Sequence, residues 1–289
     1  MMPQKIKEKT MEIVFIICAT ASIIAVFLIC IFVFVNGIPA IAKIGLFDFL
    51  LGKNWAPSDV PASFGILPMI LGSIYITGGA ILFGVPIGIL TAVFMAFYCP
   101  KKAYKILKPA IELLAGIPSV VYGFFGIAVL VPVMRTVFPG NGNSILTASV
   151  LLGIMVLPTI VGISEAAMRA VPNNYYEGAL ALGSTHERSI FFVVLPAAKS
   201  GIFAAVIMGI GRAIGETMAV IMVAGNQARM PAGIFKGVRT LTANIVIEMG
   251  YAAELHREAL IATAVILFIF ILIINLSFTM IKKGAKSYE

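Results

Sequence analysis

The sequence predicts an all-α membrane protein with six transmembrane helices, and three observations predict it. Of 289 residues, 60% are hydrophobic and only 12% are charged, against roughly 45–50% and about 25% in a soluble domain. Six runs approach or exceed the roughly 20 mostly apolar residues that a spanning helix needs. The 15 Pro and 27 Gly suit broken helices, which a membrane tolerates where neighbours satisfy the freed backbone groups. A soluble enzyme, a disordered chain and a disulfide scaffold are excluded. Cys18, Cys30 and Cys99 lie in or at the end of apolar runs and read as buried free thiols.

Taken in order, the expected spans are about Ile13–Val35, Ile70–Tyr98 with Pro86 inside, Ala110–Met134 with Pro118, Ile145–Met168 with Pro158, Gly201–Ala224 and Leu260–Ile281. The first run follows Lys5, Lys7 and Lys9 and precedes a small-residue segment, Ala40-Ile41-Ala42. A secretory apolar region is only about 7–15 residues long, so this longer run reads as a retained span. The expected organisation is an N-terminal part (1–69) with the first span and first outer loop, a five-helix core (70–281), and a cytoplasmic tail (282–289).

The net charge of +8 is topological. With the amino terminus in the cytoplasm, 13 Lys and Arg fall on that side, 7 on the other, and Arg212 lies within a span. The positive-inside rule then places both termini in the cytoplasm. No basic stripe with interleaved aromatics is present, so nucleic acid is not an expected partner. Trp55 in the first outer loop, the only Trp, fits an interfacial anchor or a residue packed on the helix ends. The loop over 225–259 mixes charge with apolar residues, and suits docking a partner or covering a pore mouth.

Several chemistries are missing. No G-x-x-x-x-G-K-[ST] occurs, so this chain has no P-loop for ATP. His186 and His256 fall on opposite sides of the membrane, so they cannot share a metal, and no Ser-His-Asp grouping assembles on one side.

The segment from Arg169 to Lys199 is unlike the other cytoplasmic loops. Pro172-Asn173-Asn174 can start a helix, Tyr175 to Leu182 continues it, and Gly183 stops it. Ser184-Thr185-His186-Glu187 reads as a capping box. A second short helix from Arg188 to Val194 is expected to end at Pro196. Its apolar residues, Ile190 to Leu195, either form a docking patch or lead into the fifth span; pattern alone leaves both open.

Arg212 and Glu216, four residues apart within the fifth span, are expected on one helix face. Charges at membrane depth cost several kcal/mol, roughly, and persist where they face a cavity or a partner. Arg suits an oxyanion, because its planar guanidinium stays charged and offers paired donors. Arg212 is therefore a candidate for the translocation path, with Glu216 holding it; a structural salt bridge is the alternative. Gly209, Gly211 and Gly215 surround the pair and permit close helix approach. Glu112 and Glu165 are expected near the cytoplasmic face, each paired with a nearby Lys or Arg.

Glu177-Gly178-Ala179, then Gly183, then Val193-Val194-Leu195-Pro196, resembles the EAA loop of ABC importer permeases. It departs at Gly178, where the pattern has Ala, and at Val193, where it has Ile. The segments Ala110–Gly123 and Gly211–Val220 resemble the third- and fifth-span signatures of phosphate-specific importer permeases, and Lys53–Pro57 resembles their first outer loop. The resemblance is closest to the C-type subunit. It implies the type I ABC importer permease fold and a bacterial or archaeal cytoplasmic-membrane location. The implied partners are a related A-type permease, two ATP-binding subunits docked on the coupling loop (about 172–196), and an extracytoplasmic phosphate-binding protein. It also implies a non-catalytic chain with no cofactor of its own, ATP and Mg being held by the ATPase. A permease for another oxyanion, molybdate or sulfate, and a secondary transporter are the alternatives.

Overall fold

A computed structural model describes residues 4–286. The terminal residues 1–3 and 287–289 lie outside the described part. Helix α1 (Gln4–Ile44) leads into the short α2 (Leu46–Leu51) and a two-stranded hairpin, β1 (Trp55–Ala56) with β2 (Ser63–Phe64), in which Trp55 pairs with Phe64. Helix α3 (Leu67–Val93) continues through a π-turn, Phe94–Tyr98. Then come α4 (Lys101–Gly116), α5 (Ser119–Phe125), a π-turn at Gly126–Leu130 and α6 (Val131–Val137). Helix α7 (Ile145–Arg169) is followed by α8 (Asn173–Ala181), α9 (His186–Ser189), a π-turn at Ile190–Val194 and α10 (Leu195–Ala197). The chain closes with α11 (Lys199–Gly215), α12 (Met218–Val223), α13 (Leu241–Glu248) and α14 (Glu254–Lys286).

Among the described residues, five helical segments are long and apolar enough to cross a membrane, and six if α9–α10 plus α11 count as one bent span. Second and fourth spans form the centre. Helix α3 meets α7 through small residues: Gly79 against Ser149, Gly84 against Val156 and the Gly153 carbonyl, and Gly88 against Ile160. A side chain at any of these would push the helices apart, the usual reason for small residues at membrane helix contacts. Ser144 caps α7 by accepting from the Thr147 amide.

The first span packs outside this core, chiefly on α14, with its end at Ala40 set against Phe49 and Trp55. Gly37 abuts Val265 and Ala262, Phe34 meets Phe268 edge to face, and Lys43 pairs with Glu258 at 2.6 Å. From Glu8 to Ile29 α1 is exposed, as a lipid-facing helix would be. Cys18 is accordingly exposed rather than buried. Helix α14 runs unbroken to Lys286, so most of the expected tail extends the last helix.

Two spans differ from expectation. The third is not one helix over Ala110–Met134. It runs from Lys101 to Val137 and is broken at Ile117-Pro118, where both residues are extended (ψ 126° and 141°). Pro118 has no N–H to give and forces its predecessor out of helical geometry. Lys108 lies beside the last turns of α7, through Glu165, whereas Gly126 lies beside Leu151 near its start. The third span thus runs antiparallel to α7, with the break about midway.

The fifth span bends by 69° between Ala197 and Lys199. It then breaks again between Gly215 and Met218, where a continuous helix was expected to Ala224. Glu216 is extended (φ −70°, ψ 130°) and Thr217 has φ −121°. Side chains replace the lost ladder there. Glu216 Oε1 accepts from the Ala219 amide, Thr217 Oγ1 donates to the Gly215 carbonyl, and Thr242 Oγ1 donates to the Glu216 carbonyl.

The end of the bundle opposite α8 is covered by the loop from Gly225 to Ala253. Val238 bridges to Gly225, and the amides of Ile145 and Leu146 donate to Lys236 and Ile234. Trp55 is buried there, 7% exposed, so it packs under this cover and is not an interfacial anchor. Its Nε1 donates to Glu248, which also binds Arg239 and His256.

Candidate functional site

The first candidate surface is the knob formed by α8 to α10. Pro172 precedes α8 at the usual entry position. Gly183 ends it in the left-handed region (φ +83°), with its own amide bonded to Leu180 and that of Ser184 to Ala179. This is the Schellman arrangement expected of a C-terminal glycine. Two local expectations are corrected. The cap of the second helix is Thr185, which accepts from the Arg188 amide, so the box from Ser184 is not formed. Pro196 does not end that helix, which runs to Ala197. Proline is tolerated there because it stands in the first turn after a π-turn, where its missing donor is not needed.

The apolar run Ile190–Leu195 divides between inside and outside. Ile190 and Val194 are buried with Val93, Met95, Val161, Met168 and Ala198, fastening the knob to the second and fourth spans. Tyr176 and His186 share a 2.6 Å hydrogen bond inside it. Phe191 and Phe192 point outward, Phe192 at 74% exposure, as does Leu182 at 91%. Glu177, Gly178 and Gly183 are exposed, while Ala179, Val193 and Leu195 are half-buried and Pro196 is exposed. The knob therefore offers exposed apolar side chains together with the charged Glu177, Glu187 and Arg188.

The second candidate is at mid-depth. Arg212 Nη1 donates to Thr159 Oγ1, 3.3 Å away and near the middle of α7. The expected Arg212–Glu216 pair is not formed, because the helix ends at Gly215 and turns Glu216 toward the start of α12. Glu216 is thus the cap of a half-helix and does not hold Arg212. The guanidinium has five N–H donors, and one hydrogen bond uses one of them. Gly123, just after the break in the third span, lies against Ala219 and Met222, just after the break in the fifth, so the two breaks face each other. Tyr122 closes its own break by donating to the Leu114 carbonyl. Sequence reading missed Thr159, Tyr122 and Thr242; the Gly-led breaks at Gly116-Ile117-Pro118 and Gly215-Glu216-Thr217 were the available signal.

Glu165 and Glu112 separate. Glu165 is 1% exposed and binds Tyr104, Lys108 and Arg169 at 2.7–2.9 Å. Glu112 is exposed and only 3.8 Å from Lys108. Among the described residues, no group of three His, Cys, Asp or Glu could hold a metal.

A bundle of apolar spans with a helical knob on one face and Arg212 at its middle has the form of a membrane permease. Residues 84–287 match the family described as binding-protein-dependent transport system inner membrane component. This chain belongs to that family and is a permease of the ABC importers. Among its relatives, the probable ABC transporter permease protein YqgH of Bacillus subtilis is 40% identical over 267 residues, covering 89% of this chain and 86% of the relative. The phosphate transport system permease protein PstC of Mesorhizobium japonicum is 35% identical over 244 residues, covering 77% and 74%. In fold, the chain is similar to a bacterial alginate ABC transporter solved with its pentasaccharide-bound periplasmic protein. The TM-score is 0.68 at 14% identity, over 96% of this chain and 97% of that one.

Proposed function

We propose that this chain is the C-type permease subunit of an ATP-driven importer of inorganic phosphate, with both termini in the cytoplasm. Its partners in this reading are an A-type permease, two ATP-binding subunits that carry the ATP and Mg, and an extracytoplasmic phosphate-binding protein. The chain itself holds no cofactor and catalyses no reaction.

The observation that carries the reading is Arg212, a cation at mid-depth that no carboxylate among the described residues neutralises and whose one hydrogen bond there, to Thr159, leaves most of its donors unused. Such a group compensates an oxyanion in transit. Its single weak protein contact suits passage, since conduction needs entry without trapping. Glu216 acts beside it by holding the break open as a cap, leaving backbone exposed to the path. Phosphate, rather than another oxyanion, is supported by the two span segments and by the relative named for phosphate transport.

Force arrives through the knob. Glu177, Gly178, Ala179 and Gly183 shape its first helix, and Val193, Leu195 and Pro196 lie on its second, which Ile190 and Val194 anchor. ATPase closure displaces this surface, and the bend at Ala198 passes the motion to α11, which carries Arg212.

The test is uptake into vesicles holding the four-component complex. Arg212→Gln is expected to abolish phosphate uptake while assembly and ATP hydrolysis persist. Glu177→Ala with Pro196→Ala is expected to abolish uptake by breaking coupling. Loss of assembly in Arg212→Gln would make Arg212 structural. Preference for molybdate or sulfate would move the substrate, and uptake without the ATPase would overturn the class of mechanism.

A further inference from the structure

We infer that Glu165 is a positioning residue that makes the inner half of the third span move with the fourth. The inference rests on the coupling reading of the knob.

Helix α4 is poorly held by apolar contact. None of its 16 residues is fully buried, and Ile106 and Leu113 are each 73% exposed. Only Tyr104 and Ile111 lean on the cluster under the knob. What fastens α4 is polar. Glu165, on α7, accepts from Tyr104 Oη at 2.7 Å and Lys108 Nζ at 2.9 Å, one turn apart on α4. Arg169 holds the same carboxylate at 2.8 Å, donates to the Met95 carbonyl at 2.8 Å, and stacks over the Tyr104 ring. One buried carboxylate therefore joins the second, third and fourth spans.

Its location gives this joint its role. Arg169 is the last residue of α7, and Pro172, three residues on, opens the knob. At its other end α4 stops at the Ile117-Pro118 break, which faces that of the fifth span. A displacement of the knob reaches the end of α7 first. Through Glu165 it is then imposed on α4, whose break lets it swing without unravelling α5. An apolar contact would hold α4 as firmly but allow it to slide. Two directional bonds from residues four apart fix its register, the best-attested use of a buried ionic group.

The measurement is phosphate transported per ATP hydrolysed in vesicles holding the complete complex. Lys108→Met is expected to keep binding-protein-stimulated hydrolysis within about two-fold and to lower transport per ATP at least five-fold. Lys108→Arg, which restores the bond to Glu165, is expected to recover most of that ratio. A purely structural clamp would lower both rates together through loss of assembled complex, leaving the ratio unchanged, and that result overturns the proposal. If Lys108→Met does not assemble, Tyr104→Phe, which removes one hydroxyl, decides by the same ratio. A wild-type ratio there overturns the proposal; a reduced one supports it. Glu177→Ala keeps the two readings apart. If it blocks uptake while Lys108→Met couples normally, only the joint fails. If Glu177→Ala couples normally and Lys108→Met does not, only the knob reading fails.

Discussion

Replacing Glu248 by Gln is expected to loosen the cover over the end opposite the knob, and the chain's only Trp makes the event visible. Glu248 is 6% exposed and accepts from Trp55 Nε1 and His256 Nε2, each at 2.8 Å, while its other oxygen binds Arg239. Glutamine keeps the shape and one neutral acceptor, so the indole bond can survive. It cannot balance Arg239, whose side chain is 15% exposed. Removing one member of a well-buried ion pair costs about 3–5 kcal/mol. Arg239 is partly wetted and still donates to the Asn226 carbonyl and Asn244, so about 2–3 kcal/mol is the reasoned cost. Tryptophan emission followed against temperature in detergent reads it. The midpoint should fall by roughly 5–10 °C, and the emission should shift to the red before the helices unfold, as water reaches Trp55. An unchanged midpoint with unshifted emission would refute the argument that this carboxylate holds the cover together.

Three further substitutions test the packing and the knob. At Gly178 a Cβ meets nothing within 4 Å, so Gly178→Ala should stabilise α8 by about 0.5–1 kcal/mol and leave uptake intact. At Gly183 there is also space, but φ is +83°. Gly183→Ala should therefore cost about 1–2 kcal/mol and lower transport per ATP without preventing assembly. Gly84→Val places its Cβ 2.9 Å from Val156 and 3.1 Å from the Gly153 carbonyl. It should lower the thermal midpoint in detergent more than any change at Gly178, because the central helix pair must separate.

What could be read from sequence was whatever depends on local order. Apolar runs located the second and fourth spans within three residues and the sixth within six, and Gly183 marked the turn of the knob. What could not be read was set by neighbours distant in sequence. The Arg212–Glu216 pairing assumed a continuous helix. That helix breaks at Gly215-Glu216-Thr217, where Thr242, 26 residues on, takes up the freed Glu216 carbonyl, and no periodicity reports such a contact. Thr159 is an ordinary helical residue until Arg212, 53 positions later, is folded against it. Trp55 could be read equally as a membrane anchor or as a residue packed on the helix ends, because the partner that decides it, Glu248, lies 193 residues away. Pro118 and Pro196 show the same limit: each was visible, but one breaks its helix and the other is absorbed by a π-turn.

The bend at Ala198 has a mechanical consequence. The twelve residues His186–Ala197 form a rigid arm of roughly 18 Å at about 1.5 Å per residue. Ala198 is 4% exposed, and Ile190 and Val194 seat the arm on the second and fourth spans, so the fulcrum and one face of the arm are embedded while Phe191 and Phe192 face outward. Turning such an arm by about 10° sweeps its end through roughly 3 Å, about the width of a water molecule. Because Ile190 and Val194 are packed on the second and fourth spans, such a turn cannot stay within the arm and must shift those helices with it.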